Sequence, residues 1–217
     1  MKKQIFCFIM FSVLSAIPSG NLNASETDTA ICTYSTWVWN TRTKRSEGHK
    51  EVRKPHSELT PEEKDLNSNC TVCEEDQITI DLDGVPRFQV CKYYAEEIRK
   101  VIEKIKSSNF PVTSIIGYRV GKSKGEVDKN GLRNQFSHHS FGIAIDINAE
   151  KNGLYDNCYE YGNNCRLLRG GPWRPGQPGT ITIDSDVYKA FKAIGWKWGG
   201  ELVGQQKDFM HFSLTGE

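Results

Sequence analysis

The six cysteines that follow residues 1–24 constrain the fold of this chain most. They are Cys32, Cys70, Cys73, Cys91, Cys158 and Cys165. An even number of cysteines in an exported chain indicates disulfides, although the sequence does not determine which cysteines pair. We predict a Cys158–Cys165 bond, because this pair closes a short loop within one insertion. The other four are expected to tie the N-terminal segment to the start of a helix at Cys91.

The Cys70-Thr-Val-Cys73 motif allows two other interpretations. A redox CxxC requires a thioredoxin-like strand before it and a helix after it, whereas the residues beside this motif are acidic and typical of turns. A four-cysteine zinc knuckle is the second alternative, but thiolates in an oxidising compartment usually form disulfides first. We therefore favour structural disulfides.

The first 24 residues have the composition of a signal peptide. Lys2 and Lys3 precede an apolar run at residues 5–17, which is too short to cross a bilayer, and Ala24 ends a stretch suited to cleavage. A retained membrane anchor is the alternative. We expect export to the periplasm or the extracellular space, with no stable membrane span after cleavage.

Charge and periodicity narrow the class of protein further. The formal net charge of +1 argues against nucleic-acid binding. We also expect the protein to be a monomer. Residues 25–76 are polar with little periodicity, which predicts an irregular, cysteine-rich N-terminal segment. Residues 77–217 are predicted to form the main folded domain.

This main domain shows helix and hairpin patterns. Apolar residues at three- and four-residue steps predict helices at residues 92–108 and from Asp184 or Ser185 to Gly195. Asp83-Gly84 predicts a hairpin turn. Residues 112–120 are predicted to form a buried strand, and residues 121–131 and 151–180 to be loops. We predict an α+β fold, in which a small antiparallel sheet is flanked by helices beside a disulfide-braced N-terminal segment.

Two segments could bring metal ligands together. From Ile143 to Asn148 apolar and other residues alternate, which places Asp146 on the face opposite the isoleucines. His139 can reach that face only if the chain bends between them, and Gly142 permits such a bend. In the C-terminal segment, His211 likewise points away from an apolar face. Two histidines and a carboxylate can hold zinc, and Asp208, in a turn before His211, would be a base.

These motifs resemble those of the VanY-like D-alanyl-D-alanine carboxypeptidase family of zinc peptidases, which includes phage L-alanyl-D-glutamate endopeptidases. The similarity extends over about residues 90–214, which implies that the main domain, residues 77–217, is a zinc peptidase catalytic domain. The motifs that carry it are Gly117-Tyr118-Arg119, the S-x-H-x-x-G-x-A-x-D pattern from Ser137 to Asp146, Trp198-Gly199-Gly200, and Asp208-Phe209-Met210-His211-Phe212.

The resemblance implies a role for each site residue. His139, Asp146 and His211 would bind Zn2+, and Asp208 would be the general base. Arg119 would stabilise an oxyanion, and Ser137 would orient the substrate. The implied activity is hydrolysis of peptidoglycan stem peptides beside D-amino acids. Its alternatives are an L-alanyl-D-glutamate-type endopeptidase, a non-catalytic wall-binding module and an iron-dependent oxygenase.

Overall fold

The computed structural model describes residues 30–216, so the predicted signal peptide at residues 1–24 lies outside the described residues. Within them, no helix combines the length and apolar composition that crossing a bilayer requires. The helices are α1 (Ala95–Ser107) and α2 (Asp186–Ala193). The strands are β1 (Ile31–Asn40), β2 (Arg45–Pro55), β3 (Lys64–Asp65), β4 (Cys70–Thr71), β5 (Gln77–Ile80), β6 (Phe88–Cys91), β7 (Ile115–Ile116), β8 (Lys122–Val127), β9 (Arg133–Phe136), β10 (Ala144–Ile147), β11 (Leu154–Asp156), β12 (Arg166–Arg169), β13 (Lys197–Trp198), β14 (Lys207–Asp208) and β15 (His211–Ser213).

One antiparallel sheet, in the order β13-β15-β10-β7, lies within residues 77–216 and packs with the two helices. Its isoleucines belong to the same apolar cluster as the buried faces of both helices. Phe191 of α2 stacks on Phe212 of β15 with 4.4 Å between ring centroids. The two predicted helices are therefore confirmed. Ser185 caps α2 by accepting a hydrogen bond from the Tyr188 amide, as its residue type favours.

The predicted α+β fold, with a small antiparallel sheet flanked by helices, is confirmed only in outline. The β13-β15-β10-β7 sheet is small and packs with both helices, but the described residues also form a second four-stranded sheet, one three-stranded sheet and two strand pairs. The hairpin predicted at Asp83-Gly84 is present, with β5 and β6 paired from Gln77↔Cys91 to Ile80↔Phe88. Residues 112–120 contain only the two-residue strand β7, so the prediction of one long buried strand was wrong.

The prediction that residues 25–76 are irregular was also wrong for the described part of that segment. Strands β1 and β2 form a long antiparallel hairpin, and β1 continues the sheet to β8 and β9. Most of β2 is exposed, and a register shift interrupts β1 between Thr36 and Val38. No simple alternation of apolar residues results, which is why the periodicity did not indicate these strands.

Two predicted loops contain strands for a similar reason. Residues 121–131 include β8, a Lys- and Gly-containing strand that pairs with β9 and contacts β1 at Val38↔Lys122. Residues 151–180 include β11 and β12, which pair with each other around the Cys158–Cys165 loop. Each of these polar hairpins also pairs with a strand distant in sequence, β8 with β1 and β11 with β14, which a local pattern does not reveal. The division of the chain between residues 76 and 77 stays a prediction.

The described cysteines form three disulfides. These are Cys32–Cys73, Cys70–Cys91 and Cys158–Cys165. The short-range bond is the predicted one, and Cys70–Cys91 joins the N-terminal segment to the residues just before α1. The Cys70-Thr-Val-Cys73 motif is therefore structural, since its two sulfurs bond to different partners.

We expect loss of the Cys32–Cys73 bond to destabilise the fold more than loss of Cys158–Cys165. The first closes a separation of 41 residues and the second a separation of 7. Loop-closure entropy then predicts costs of about 4 and about 2 kcal/mol. Urea unfolding of the Cys32→Ser/Cys73→Ser and Cys158→Ser/Cys165→Ser proteins measures both free energies. A larger loss from the second pair would contradict the prediction.

Candidate metal centre

His139 lies in a short 3-10 turn, His138–Phe141, immediately before β10. Gly142 ends this turn with φ +67°, so the chain bends where the sequence predicted. His139 Nδ1 lies 2.7 Å from the Gly117 carbonyl oxygen. Because a carbonyl oxygen can only accept, Nδ1 carries the proton and donates it. The lone pair is therefore on Nε2, the nitrogen that faces Asp146.

Asp146 and His211 are directly opposite each other on β10 and β15. Opposite residues of an antiparallel pair project from the same face, so the register alone brings these side chains together. The Asp146 Oδ1 atom lies 2.9 Å from His211 Nδ1 and 3.1 Å from His139 Nε2. All three residues are at most 5% exposed. Their candidate ligand atoms lie within 4.8 Å of one another, close enough to share one ion.

The electrostatics of this group favour the metal-binding forms of His139 and Asp146. Burial lowers the pKa of His139 to about 4, although Asp146 opposes the shift, so its imidazole is neutral near pH 7. Burial alone would raise the pKa of Asp146. Its interactions with His139 and His211 outweigh burial and hold that pKa well below 3.8, so the carboxylate stays ionised. Burial lowers the pKa of His211, but the hydrogen bond and charge of Asp146 outweigh burial and raise that pKa, which favours the protonated ring. A neutral imidazole and an ionised carboxylate are the forms that bind metals.

Unpartnered polar atoms collect at this centre. Across residues 30–216, seven buried side-chain nitrogen or oxygen atoms have no hydrogen-bond partner, and four of them belong to residues singled out from the sequence. These four are Arg119 Nε, Ser137 Oγ, His139 Nε2 and Asp208 Oδ1. Buried polar groups normally have partners, so a cluster without them indicates groups available to a ligand. The unpartnered His139 Nε2, with Asp146 and His211 beside it, fits a zinc ion.

Arg119 faces the same carboxylate. One of its terminal nitrogens lies 3.7 Å from Asp146 Oδ2, and its backbone amide donates to the His139 carbonyl at 3.1 Å. Burial lowers the pKa of Arg119 and Asp146 opposes that shift. An arginine remains protonated at neutral pH despite such a shift. The side chain therefore brings a fixed positive charge to the edge of the centre.

Asp208 lies in β14 and not in the turn that the sequence predicted. It pairs with Leu154 of β11, and this pairing fixes its backbone. Burial, followed by the charge of Asp146, raises the pKa of Asp208 to about 6. A Cβ atom at Gly199 would overlap the Asp208 backbone. The Trp198-Gly199-Gly200 motif thus lets the carboxylate-bearing strand approach closely.

The remaining predicted residues border the centre. Ser137 is buried and precedes the turn that carries His139, and its carbonyl accepts from the Ser140 amide at 2.8 Å. His138 is not part of the candidate ligand group, since its Nδ1 atom lies 3.3 Å from Thr215 Oγ1. Trp173 stacks on Phe209, next to Asp208, with ring centroids 4.0 Å apart. These rings border an open groove of about 380 Å³.

Sequence reasoning missed one charged residue near the centre, Arg169 of β12. Its positive charge acts on both Arg119 and Asp208. The sequence around it, Arg166-Leu-Leu-Arg169, has neither a recognisable motif nor clear periodicity. No signal in the sequence could have placed it here, because its position depends on strand register.

The fold and the centre together define a class of protein. Two buried histidines and an aspartate that could hold one metal ion lie beside a second carboxylate and an arginine, an arrangement that fits a metal-dependent hydrolase.

The comparison with known families agrees with this class. Residues 130–214 match the model of a peptidase family described as D-alanyl-D-alanine carboxypeptidase, which confirms the resemblance over that range. The match contains Ser137, the three candidate ligands and Asp208, whereas Arg119 precedes it. No curated protein and no solved structure matches the chain.

Proposed function

We propose that this protein is a zinc-dependent peptidase that hydrolyses peptidoglycan stem-peptide bonds beside D-amino acids. The observation that carries the proposal is the buried group of His139, Asp146 and His211, in which His139 Nε2 has no hydrogen-bond partner. The family match over residues 130–214 supports the substrate class. It does so through the same stretch of chain that supplies all three candidate ligands.

Each residue has a defined task in this proposal. His139, Asp146 and His211 would hold a zinc ion, which would supply the Lewis-acid chemistry that polarises the scissile carbonyl and makes the attacking water more acidic. Asp208 accepts a proton at its carboxylate, for which a pKa of about 6 is well suited near neutral pH. It later returns the proton to the leaving amine. Arg119 stabilises negative charge on the carbonyl oxygen with a cation already in place.

The disulfides support export of the protein. Three disulfides form among the described cysteines, and such bonds persist in the oxidising compartments outside the cytoplasm. Peptidoglycan lies in those compartments. The predicted signal peptide and the disulfides therefore support a location in the compartment of the proposed substrate.

A non-catalytic wall-binding module is the main alternative, and Asp208 argues against it. A module that only binds has no need of a buried second carboxylate whose pKa is raised. An iron-dependent oxygenase is disfavoured because the carboxylate ligand follows His139 by seven residues, whereas such enzymes usually carry H-x-D. The endopeptidase alternative uses the same chemistry and differs only in the bond cut.

Cleavage of purified muropeptides tests the proposal. The zinc-loaded mature protein is expected to release D-alanine from stem peptides that end in D-Ala-D-Ala, and a chelator should stop the reaction. Mass spectrometry of the products identifies the bond, so products cut between L-alanine and D-glutamate would support the endopeptidase instead. Absence of any product from zinc-loaded protein would overturn the proposal.

A further inference from the structure

Arg169 projects from the same sheet face as the proposed base. In the sheet of order β12-β11-β14, Leu154 pairs with Arg169 on one side and with Asp208 on the other. Residues opposite one another across strands point to the same face. Two strand spacings separate the Arg169 and Asp208 backbones by about 10 Å. An extended arginine side chain can cross much of that distance.

A register irregularity in β12 places Arg169 directly opposite Leu154, in line with Asp208 on the other side. Tyr155 pairs with Leu167, but Leu154, one residue earlier, pairs with Arg169. Continuous pairing would have placed Leu168 opposite Leu154. The extra residue is a β-bulge, a device that redirects a side chain locally. Because of the bulge, Arg169 and not Leu168 lies on the sheet face that carries Asp208.

The backbone around Arg169 is packed tightly. The Gly171 amide donates to the Ala149 carbonyl at 2.8 Å, just beyond the strand that carries Asp146. A Cβ atom at Gly170 or Gly171 would overlap the backbone of that segment, and one at Gly153 would approach the Arg169 carbonyl at 2.9 Å. These close contacts hold the base of the Arg169 side chain in place relative to the metal ligands.

Arg169 differs from the other arginine of its strand. Arg166 forms an ion pair with Asp156 at 2.8 Å. Arg169 is exposed, and among residues 30–216 it forms no ion pair. Arg169 therefore adds, on the sheet face that carries Asp208, a positive charge that no carboxylate of the described chain neutralises by direct contact.

The charges around the centre leave a positive surplus. Arg119 lies 3.7 Å from Asp146, and Arg169 shares a sheet face with Asp208. These two cations balance the carboxylates of Asp146 and Asp208, so a divalent metal ion would supply the surplus. A site of this kind favours an anionic substrate.

We propose that Arg169 binds a carboxylate of the substrate residue next to the scissile bond, and so determines substrate specificity. This inference rests on the proposed function. Two substrates carry such a carboxylate: a stem peptide with a terminal D-Ala-D-Ala, through its C-terminus, and an L-Ala-γ-D-Glu peptide, through its α-carboxylate. A guanidinium recognises either one through paired hydrogen bonds.

Matched substrates and variants separate these cases. The zinc-loaded protein is assayed with a pentapeptide ending in D-Ala-D-Ala, its C-terminal amide and an L-Ala-γ-D-Glu peptide. Arg169→Gln should raise KM for the preferred carboxylate substrate by about 10- to 100-fold with little change in kcat, the loss expected for one charge-assisted contact. Arg169→Lys should recover part of the affinity. Arg166→Gln on the same strand is the matched control and should behave as wild type.

The outcomes distinguish this inference from the proposed function. An Arg169→Gln protein with wild-type KM for the preferred substrate would overturn the role of Arg169 while leaving the peptidase intact. If the D-Ala-D-Ala pentapeptide is the preferred substrate, equal KM values for its acid and amide would do the same. If no peptide is cleaved, the proposed function fails, and calorimetric titration of the same peptides still tests Arg169. Binding of the acid about tenfold tighter than the amide, lost in Arg169→Gln, would support it. Equal binding would refute it.

Discussion

Replacing Asp146 with alanine is expected to abolish zinc binding and reduce kcat/KM by at least about 1,000-fold. Its Oδ1 atom lies within 3.1 Å of both histidine nitrogens, so no other residue of the group can take its place between them. His139→Ala removes the unpartnered Nε2 atom and should have the same effect. Metal content by inductively coupled plasma mass spectrometry and muropeptide turnover measure the two losses separately.

His56 provides a matched control for the metal ligands. Its Nε2 atom lies 3.2 Å from Asp76 Oδ2, so it too is a histidine beside a carboxylate. His56, Cys73 and Asp76 lie close enough together to form a second candidate ligand group, but the Cys73 sulfur is in a disulfide. His56→Ala should keep a full equivalent of zinc and wild-type turnover. Zinc should also raise the melting temperature of wild type and His56→Ala but not of Asp146→Ala, because a ligand stabilises only a fold that binds it. Full zinc occupancy in Asp146→Ala and His139→Ala would show that the ion binds elsewhere.

Asp208→Asn is expected to lower kcat by about 100- to 10,000-fold while the protein retains its zinc, because a general base contributes rate enhancement of that size. Without a metal ion, the pKa of the buried Asp208 carboxyl is about 6. A bound metal ion lowers that pKa, so the rate of the zinc-loaded wild type should fall at a pH below about 6, since only the ionised carboxylate accepts a proton. The residual activity of Asp208→Asn should lack this pH dependence.

Stability measurements separate loss of the base from misfolding. The folded-state pKa of Asp208 is raised above 3.8, so its ionisation destabilises the fold as the pH rises through that interval. In metal-free protein, Asp208→Asn should therefore be more stable than wild type at pH 7 and similar to it at pH 4. Thermal unfolding at the two pH values tests this difference. An Asp208→Asn enzyme with wild-type kcat would exclude Asp208 as the base.

Local patterns predicted the elements that carry their own signal. The helical stripe before Asn109, the cap at Ser185 and the alternation around Asp146 each depend on residues close in sequence, and each corresponds to an observed element. The Cys158–Cys165 bond was predictable for the same reason, since the loop that it closes is short. The long β1–β2 hairpin was not, because its exposed strand lacks an apolar face.

By itself, the sequence determined which side chains were candidates for the centre. Residue type limits chemistry and indicated two histidines and an aspartate for a metal and Asp208 for a proton, and the family resemblance added Arg119 for an oxyanion. Only the tertiary structure decided how they meet. The Asp146↔His211 register, the Gly117 carbonyl that sets the His139 tautomer, and the β-bulge that aligns Arg169 with Asp208 all involve strand pairing or contacts between segments distant in sequence. Such pairings depend on the packing of the whole fold, which no local pattern records.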